Sequence, residues 1–122
     1  MEPSITDIAG LHRSAMELAE VSKSHQLRGW TECSQTTLEA AYRREKAAAD
    51  GCLIQNAPEP TRSEILRSAA KLAIDCGEWV EAYRWVAAAL RNRGLVPESI
   101  YSELVGLENQ IEAHWREVQN GD

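Results

Sequence analysis

The residue types that most often carry chemistry are few in this chain and widely spaced. Histidine occurs at His12, His25 and His114, and cysteine at Cys33, Cys52 and Cys76. There is no H-E-x-x-H motif, no glutamate three residues ahead of a histidine, and no C-x-x-C pair. That spacing supplies neither a zinc site nor the ligands of a di-iron helical bundle, so no metal and no cofactor are expected. Nucleophilic catalysis needs a thiol or hydroxyl beside a base, and no local pairing suggests one. Glycine loops that could cradle a phosphate are absent. The chain reads as a non-enzyme, with these six residues in structural or surface roles.

Charge and aromatic residues are the more informative types. Arg67 and Lys71 stand one helical turn apart, so both heads can converge on one anion. Residues 97–122 hold a single basic residue, Arg116, and carry a net charge of −5. Phenylalanine is missing, yet tryptophan occurs at Trp30, Trp79, Trp85 and Trp115. Trp85 lies off the side of its helix that carries Ala82, Val86 and Ala89, so it is expected to face the fifth helix or a partner. Trp85 and Trp115 are the candidate interface anchors, because tryptophan fills cores and interfaces alike.

The elements that hold these residues are all helical. Alanine, leucine and glutamate dominate, and nothing alternates with the period of a strand. The first helix is expected from Ile5 to Leu27, with Ser4 as its N-cap and a buried stripe at Ile8, Leu11, Ala15, Leu18 and Ala19. Gly29 breaks it. A second helix begins near Thr31 and stops at Asn56-Ala57-Pro58-Glu59-Pro60. Thr61 and Glu64 have the spacing of a capping box opening a third helix over 62–76. Gly77 makes the next corner, a fourth helix runs over 78–92, and a fifth begins at Pro97 and ends near Gln119. In that last helix Ile100, Leu104, Leu107, Ile111 and Val118 form a seam, with His114 at the missing step.

Composition bounds the whole. The chain has 122 residues, 43% hydrophobic and 26% charged, enough for one domain with a core that needs no disulfide. A net charge of −6 argues against nucleic-acid or anionic-membrane partners. The longest apolar run, Trp85 to Leu90, is far short of the ~20 residues that span a bilayer. Met1-Glu2-Pro3-Ser4 lacks the features of a signal peptide, and an odd, scattered cysteine set suits a reducing cytoplasm, so a cytoplasmic location is expected.

The centre of the chain contains a repeat signal. Ala70, Gly77, Trp79, Ala82 and Ala89 fall at the offsets of a tetratricopeptide repeat, and the stretch from Leu72 to Leu90 resembles that family. A fainter copy aligns Gly29 with Gly77, placing Ser22 at the close-packing position and Ser34 and Ala41 at the alanine positions. The two glycines are 48 residues apart, against the family's usual spacing of about 34. The run Glu59-Pro60-Thr61-Arg62-Ser63, with Arg67-Ser68-Ala69-Ala70 and Asp75-Cys76-Gly77, is similar to a group of small bacterial TPR-like proteins.

The resemblance implies an all-α, single-domain chain over 1–122, with repeat-like hairpins over 11–54 and 61–93 and a capping helix over 97–119. It also implies a protein-interaction scaffold whose concave face is lined by the first helix of each hairpin. Carried over, those positions are Met16, Ala19, Lys23 and Gln26, then Glu64, Arg67, Lys71 and Ile74. Of these, Lys23, Gln26, Arg67, Lys71 and Ile74 are the expected groove residues, facing a protein or peptide partner with an acidic segment. The clustered cations call for an acidic counterpart, either a partner's tail or the acidic fifth helix of a second copy. Two other readings remain: a self-associating structural subunit, and a helix-turn-helix regulator built on Ala73 and Gly77. In the latter, Glu78 and Glu81 would lead into a DNA groove, which is electrostatically unfavourable.

Overall fold

Two corners of the fold come first, because each is set by one glycine in the left-handed region. Gly29 and Gly77 have φ of 78° and 77°. Around Gly29, the Trp30 N–H donates to the His25 carbonyl at 2.9 Å and the Gly29 N–H to Gln26 at 3.0 Å. Around Gly77, the Glu78 N–H donates to Ala73 at 2.8 Å and the Gly77 N–H to Ile74 at 2.9 Å. Both are Schellman corners, and both lead into a helix by the same next bond, Ser34 to Trp30 and Ala82 to Glu78, each at 2.9 Å. The backbone therefore repeats itself at the offset of the two glycines.

A computed structural model of the chain describes residues 5–92 and 94–121. It contains five helices: α1 (Ile5–Leu27), α2 (Thr31–Ile54), α3 (Thr61–Asp75), α4 (Trp79–Leu90) and α5 (Glu98–Asn120). No strand occurs among the described residues, so the chain is all-α. The N-cap expected at Ser4 and the end of the second repeat at Arg93 lie outside the described residues. The α1–α2 and α3–α4 pairs are antiparallel hairpins, and α5 packs on α3 and α4. With each helix reversing the last, α1, α3 and α5 run in one sense and share one side.

Small residues allow the close crossings. Ala41, Ala48 and Ala49 of α2, Ala69, Ala70 and Ala73 of α3, and Ala82 and Ala89 of α4 are buried in one core. Where the first hairpin has serine instead, the hydroxyls find partners across the crossing. Ser22 Oγ donates to the Ser34 carbonyl at 2.8 Å, and Ser34 Oγ donates to the Ser22 carbonyl at 3.0 Å. The substitution keeps the steric fit and adds a reciprocal bond that alanine cannot make.

Three expectations change. The Thr61 capping box does not form: the Glu64 N–H goes to the Pro60 carbonyl at 3.0 Å, the Ser63 N–H to Glu59 Oε1 at 2.9 Å, and Ser63 Oγ donates to Glu59 Oε2 at 2.7 Å. A carboxylate from the Pro58–Pro60 loop caps α3 in its place. The α2 terminus owes its shape to Asn56, at φ 51°, before the prolines act. Trp85 faces neither α5 nor solvent: it is 3% exposed, and its Nε1–H donates to the Tyr42 hydroxyl of α2 at 3.1 Å. Tyr42 in turn donates to Glu81, which Lys46 also meets at 3.1 Å, so side chains tie α2 to α4.

The seam of α5 closes the other end. Ile100, Leu104 and Ile111 are buried, and His114 stacks flat on Trp79 of α4, ring centroids 3.8 Å apart. Val118 lies on the same stripe yet is 62% exposed. The 23-residue α5 outruns the 12-residue α4, leaving its last turns without a neighbour beneath.

Candidate functional site

The shared side of α1, α3 and α5 is concave and encloses a cavity of about 820 Å³. From α1 come Met16, Ala19, Glu20, Lys23 and Gln26, spaced three and four residues apart on one face. From α3 come Arg67, Ser68, Lys71, Leu72 and Asp75. Ser34, Gln35 and Leu38 of α2 contribute between them, and Glu103 is the contribution of α5. Met16, Ala19, Leu38 and Leu72 make an apolar strip, bordered by charged heads that long stems can carry to the rim.

Four expected groove residues meet here: Lys23, Gln26, Arg67 and Lys71 all line the one cavity. Ile74 does not. It is 7% exposed and belongs to the buried core. Asp75, four residues from Lys71 and eight from Arg67, takes that place instead.

The expected acidic counterpart is present in the same chain. Arg67 Nη1 lies 3.4 Å from Glu103 Oε1, and Lys23 Nζ lies 3.4 Å from Glu20 Oε1. Lys71 makes no ion pair among the described residues. Partial burial raises the Asp75 carboxyl above its ordinary value, while Lys71 and Lys23 oppose that rise, so cations from two helices act on one carboxylate. The groove thus holds three cations and three acids. The Glu20–Lys23 and Arg67–Glu103 contacts are long and their acids exposed, so each is worth only ~0.2–1 kcal/mol.

The remaining candidates are dispersed. Trp115 is 38% exposed, its ring tilted against Tyr83 at 5.3 Å, and it is the surviving interface candidate of the two tryptophans. His25 packs on Trp30, His114 on Trp79, and His12 bonds Glu45 at 2.6 Å. Cys33 is exposed, whereas burial pushes the Cys52 and Cys76 thiols up to about 11. Among the described residues no group of three His, Cys, Asp or Glu side chains gathers as a metal would require, and no helix is long and apolar enough to cross a membrane.

Sequence reasoning missed Glu103, Asp75 and Glu45. The last hides within Arg43-Arg44-Glu45-Lys46, which reads as a solvated charge run. Its helical phase was the available signal: Glu45 falls in step with Ala41, Tyr42, Ala48, Ala49 and Cys52, the buried face of α2. No family model, no curated protein and no solved structure matches the chain.

Proposed function

We propose that the chain is a non-enzymatic, TPR-like scaffold whose concave face holds an extended peptide segment of a partner protein. One observation carries the reading: Lys23, Gln26, Arg67 and Lys71, chosen from repeat register, line one cavity of about 820 Å³. That volume and the mixed lining suit a few residues of extended chain better than a flat protein face. An apolar side chain of the ligand fits the Met16–Leu38–Leu72 strip, and carboxylates to either side exchange for Glu20 and Glu103 on Lys23 and Arg67. Lys71, which makes no ion pair among the described residues, gives such a ligand its firmest hold.

Exchange of one weak ion pair for another brings modest affinity, so the expected complex is transient and salt-sensitive. Self-association is the second reading, and exposed Trp115 and Val118 favour it. The acidic flanks of α5 oppose pairing of two such helices, which makes it the weaker one. A DNA-binding role fits poorly, because the start of α4 is engaged within the fold through Trp79 and Glu81.

The test is binding of fluorescent peptides, each an apolar residue between two or three acidic ones, to wild type and to the R67E/K71E double variant. Wild type should bind in saturable fashion, and the variant about tenfold or more weakly, the difference shrinking as salt rises. Equal affinity of the two proteins at low salt would rule the groove out. Molar mass at several concentrations decides the second reading, since a constant monomer excludes it.

A further inference from the structure

The least expected residue in the molecule is Glu45. Its side chain is fully buried between α1, α2 and α3, where a lone carboxylate is costly. Oε2 meets His12 Nδ1 of α1 at 2.6 Å, and Oε1 makes no hydrogen bond. The imidazole is part-exposed, so its proton can exchange with solvent while the carboxylate cannot. The pair sits beside the groove: Met16 is one turn along α1 from His12, and Arg67 and Ser68 of α3 act on the Glu45 charge.

We propose that His12 and Glu45 form a pH-sensitive clasp at the end of the groove, in which loss of the imidazole proton draws Arg67 from Glu103 toward Glu45. With the imidazolium present, Glu45 is neutralised, α1 is held to α2, and Arg67 faces the groove. Without it a buried carboxylate with one unpartnered oxygen remains, and Arg67, whose charge already acts on Glu45, is positioned to answer it. The groove then loses one of its three cations. Histidine suits this role because its charge changes within the range cells visit.

Every packed element supplies a charge to this balance. On α3, Glu64 raises and Arg67 lowers the affinity of His12 for its proton, and Ser68 favours the ionised form of Glu45. On α2, the Cys52 thiol feels Glu45, with Arg62 and Glu59 beyond it. On α5, Glu103 competes for Arg67. The direction follows. The bond to Glu45 raises His12 above its ordinary value, and burial raises Glu45 above its own. The native state therefore binds more protons than the unfolded chain. The part of the stability that His12 carries is full below pH 6.5 and is lost as pH rises through its native value, and the part that Glu45 carries is lost as pH rises through its own raised value.

Side-chain NMR of the wild-type protein tests this without any ligand. His12 should titrate above 6.5, and the Arg67 guanidinium signals should move with the same midpoint. In urea, the unfolding constant should rise by up to about tenfold per pH unit across that midpoint, and E45Q should flatten the rise. H12Q offers a second variant should E45Q fold poorly, and in it Arg67 should be insensitive to pH between 6 and 9. If His12 titrates at or below 6.5, or Arg67 ignores its titration, the clasp is overturned, whatever the groove binds.

Discussion

At the scale of the residue, several buried polar groups are joined in pairs that cross between helices. Tyr42 shows the logic most fully, since one hydroxyl donates to Glu81 and accepts from the indole of Trp85. Burial and the bond to Glu81 push its own ionisation well above the ordinary tyrosine value, so it remains a donor at any working pH. Y42F leaves the Trp85 N–H buried without an acceptor, and should cost about 1–3 kcal/mol in a urea unfolding curve. An unchanged midpoint would mean that the indole finds water instead. Thiols give a second check. Burial holds Cys52 and Cys76 up near 11, whereas Cys33 is exposed. At pH 8 one thiol per native chain should react rapidly with a thiol reagent and two slowly, because the thiolate is the reactive form. Three equally fast thiols would contradict the burial.

Elements are held in place by their corners and their crossings. At Gly29 and Gly77 an added Cβ would meet no atom within 4 Å, so substitution costs backbone strain alone. G29A and G77A should each lose about 1–2 kcal/mol, and by similar amounts, if the two corners are copies of one another. A82R, at a fully buried crossing, should lose about 3–5 kcal/mol, since a charged side chain must be overpacked and desolvated there. Much at this scale was legible in sequence. Glycine positions gave the corners, and the bounds of α1 and the start of α2 fell where the sequence placed them. The start of α3 was legible to within a residue but its capping chemistry was not, because the Pro60 carbonyl takes the Glu64 amide that Thr61 was expected to satisfy and the Glu59 carboxylate caps Ser63. Two capping chemistries one turn apart look alike in a string of letters; only geometry chooses between them.

For the molecule as a whole, the account turns on α1, α3 and α5 sharing one concave side. Repeat register carried Lys23, Gln26, Arg67 and Lys71 to that side but failed at Ile74, which the core takes while Asp75 lines the groove. Register also could not show that Glu103 folds back onto Arg67, a contact 36 residues away. That contact alters the electrostatics of the proposed peptide site: a ligand there would have to displace acids of this chain, so its selectivity would rest on Lys71 and the apolar strip more than on net charge. Backbone amide NMR during titration with the acidic–apolar peptides measures this most directly. The account predicts saturable shift changes at Ala19, Lys23, Gln26, Arg67 and Lys71, lost in R67E/K71E. Shift changes confined to α2's outer face or the end of α5, or none that saturate at millimolar peptide, would contradict it.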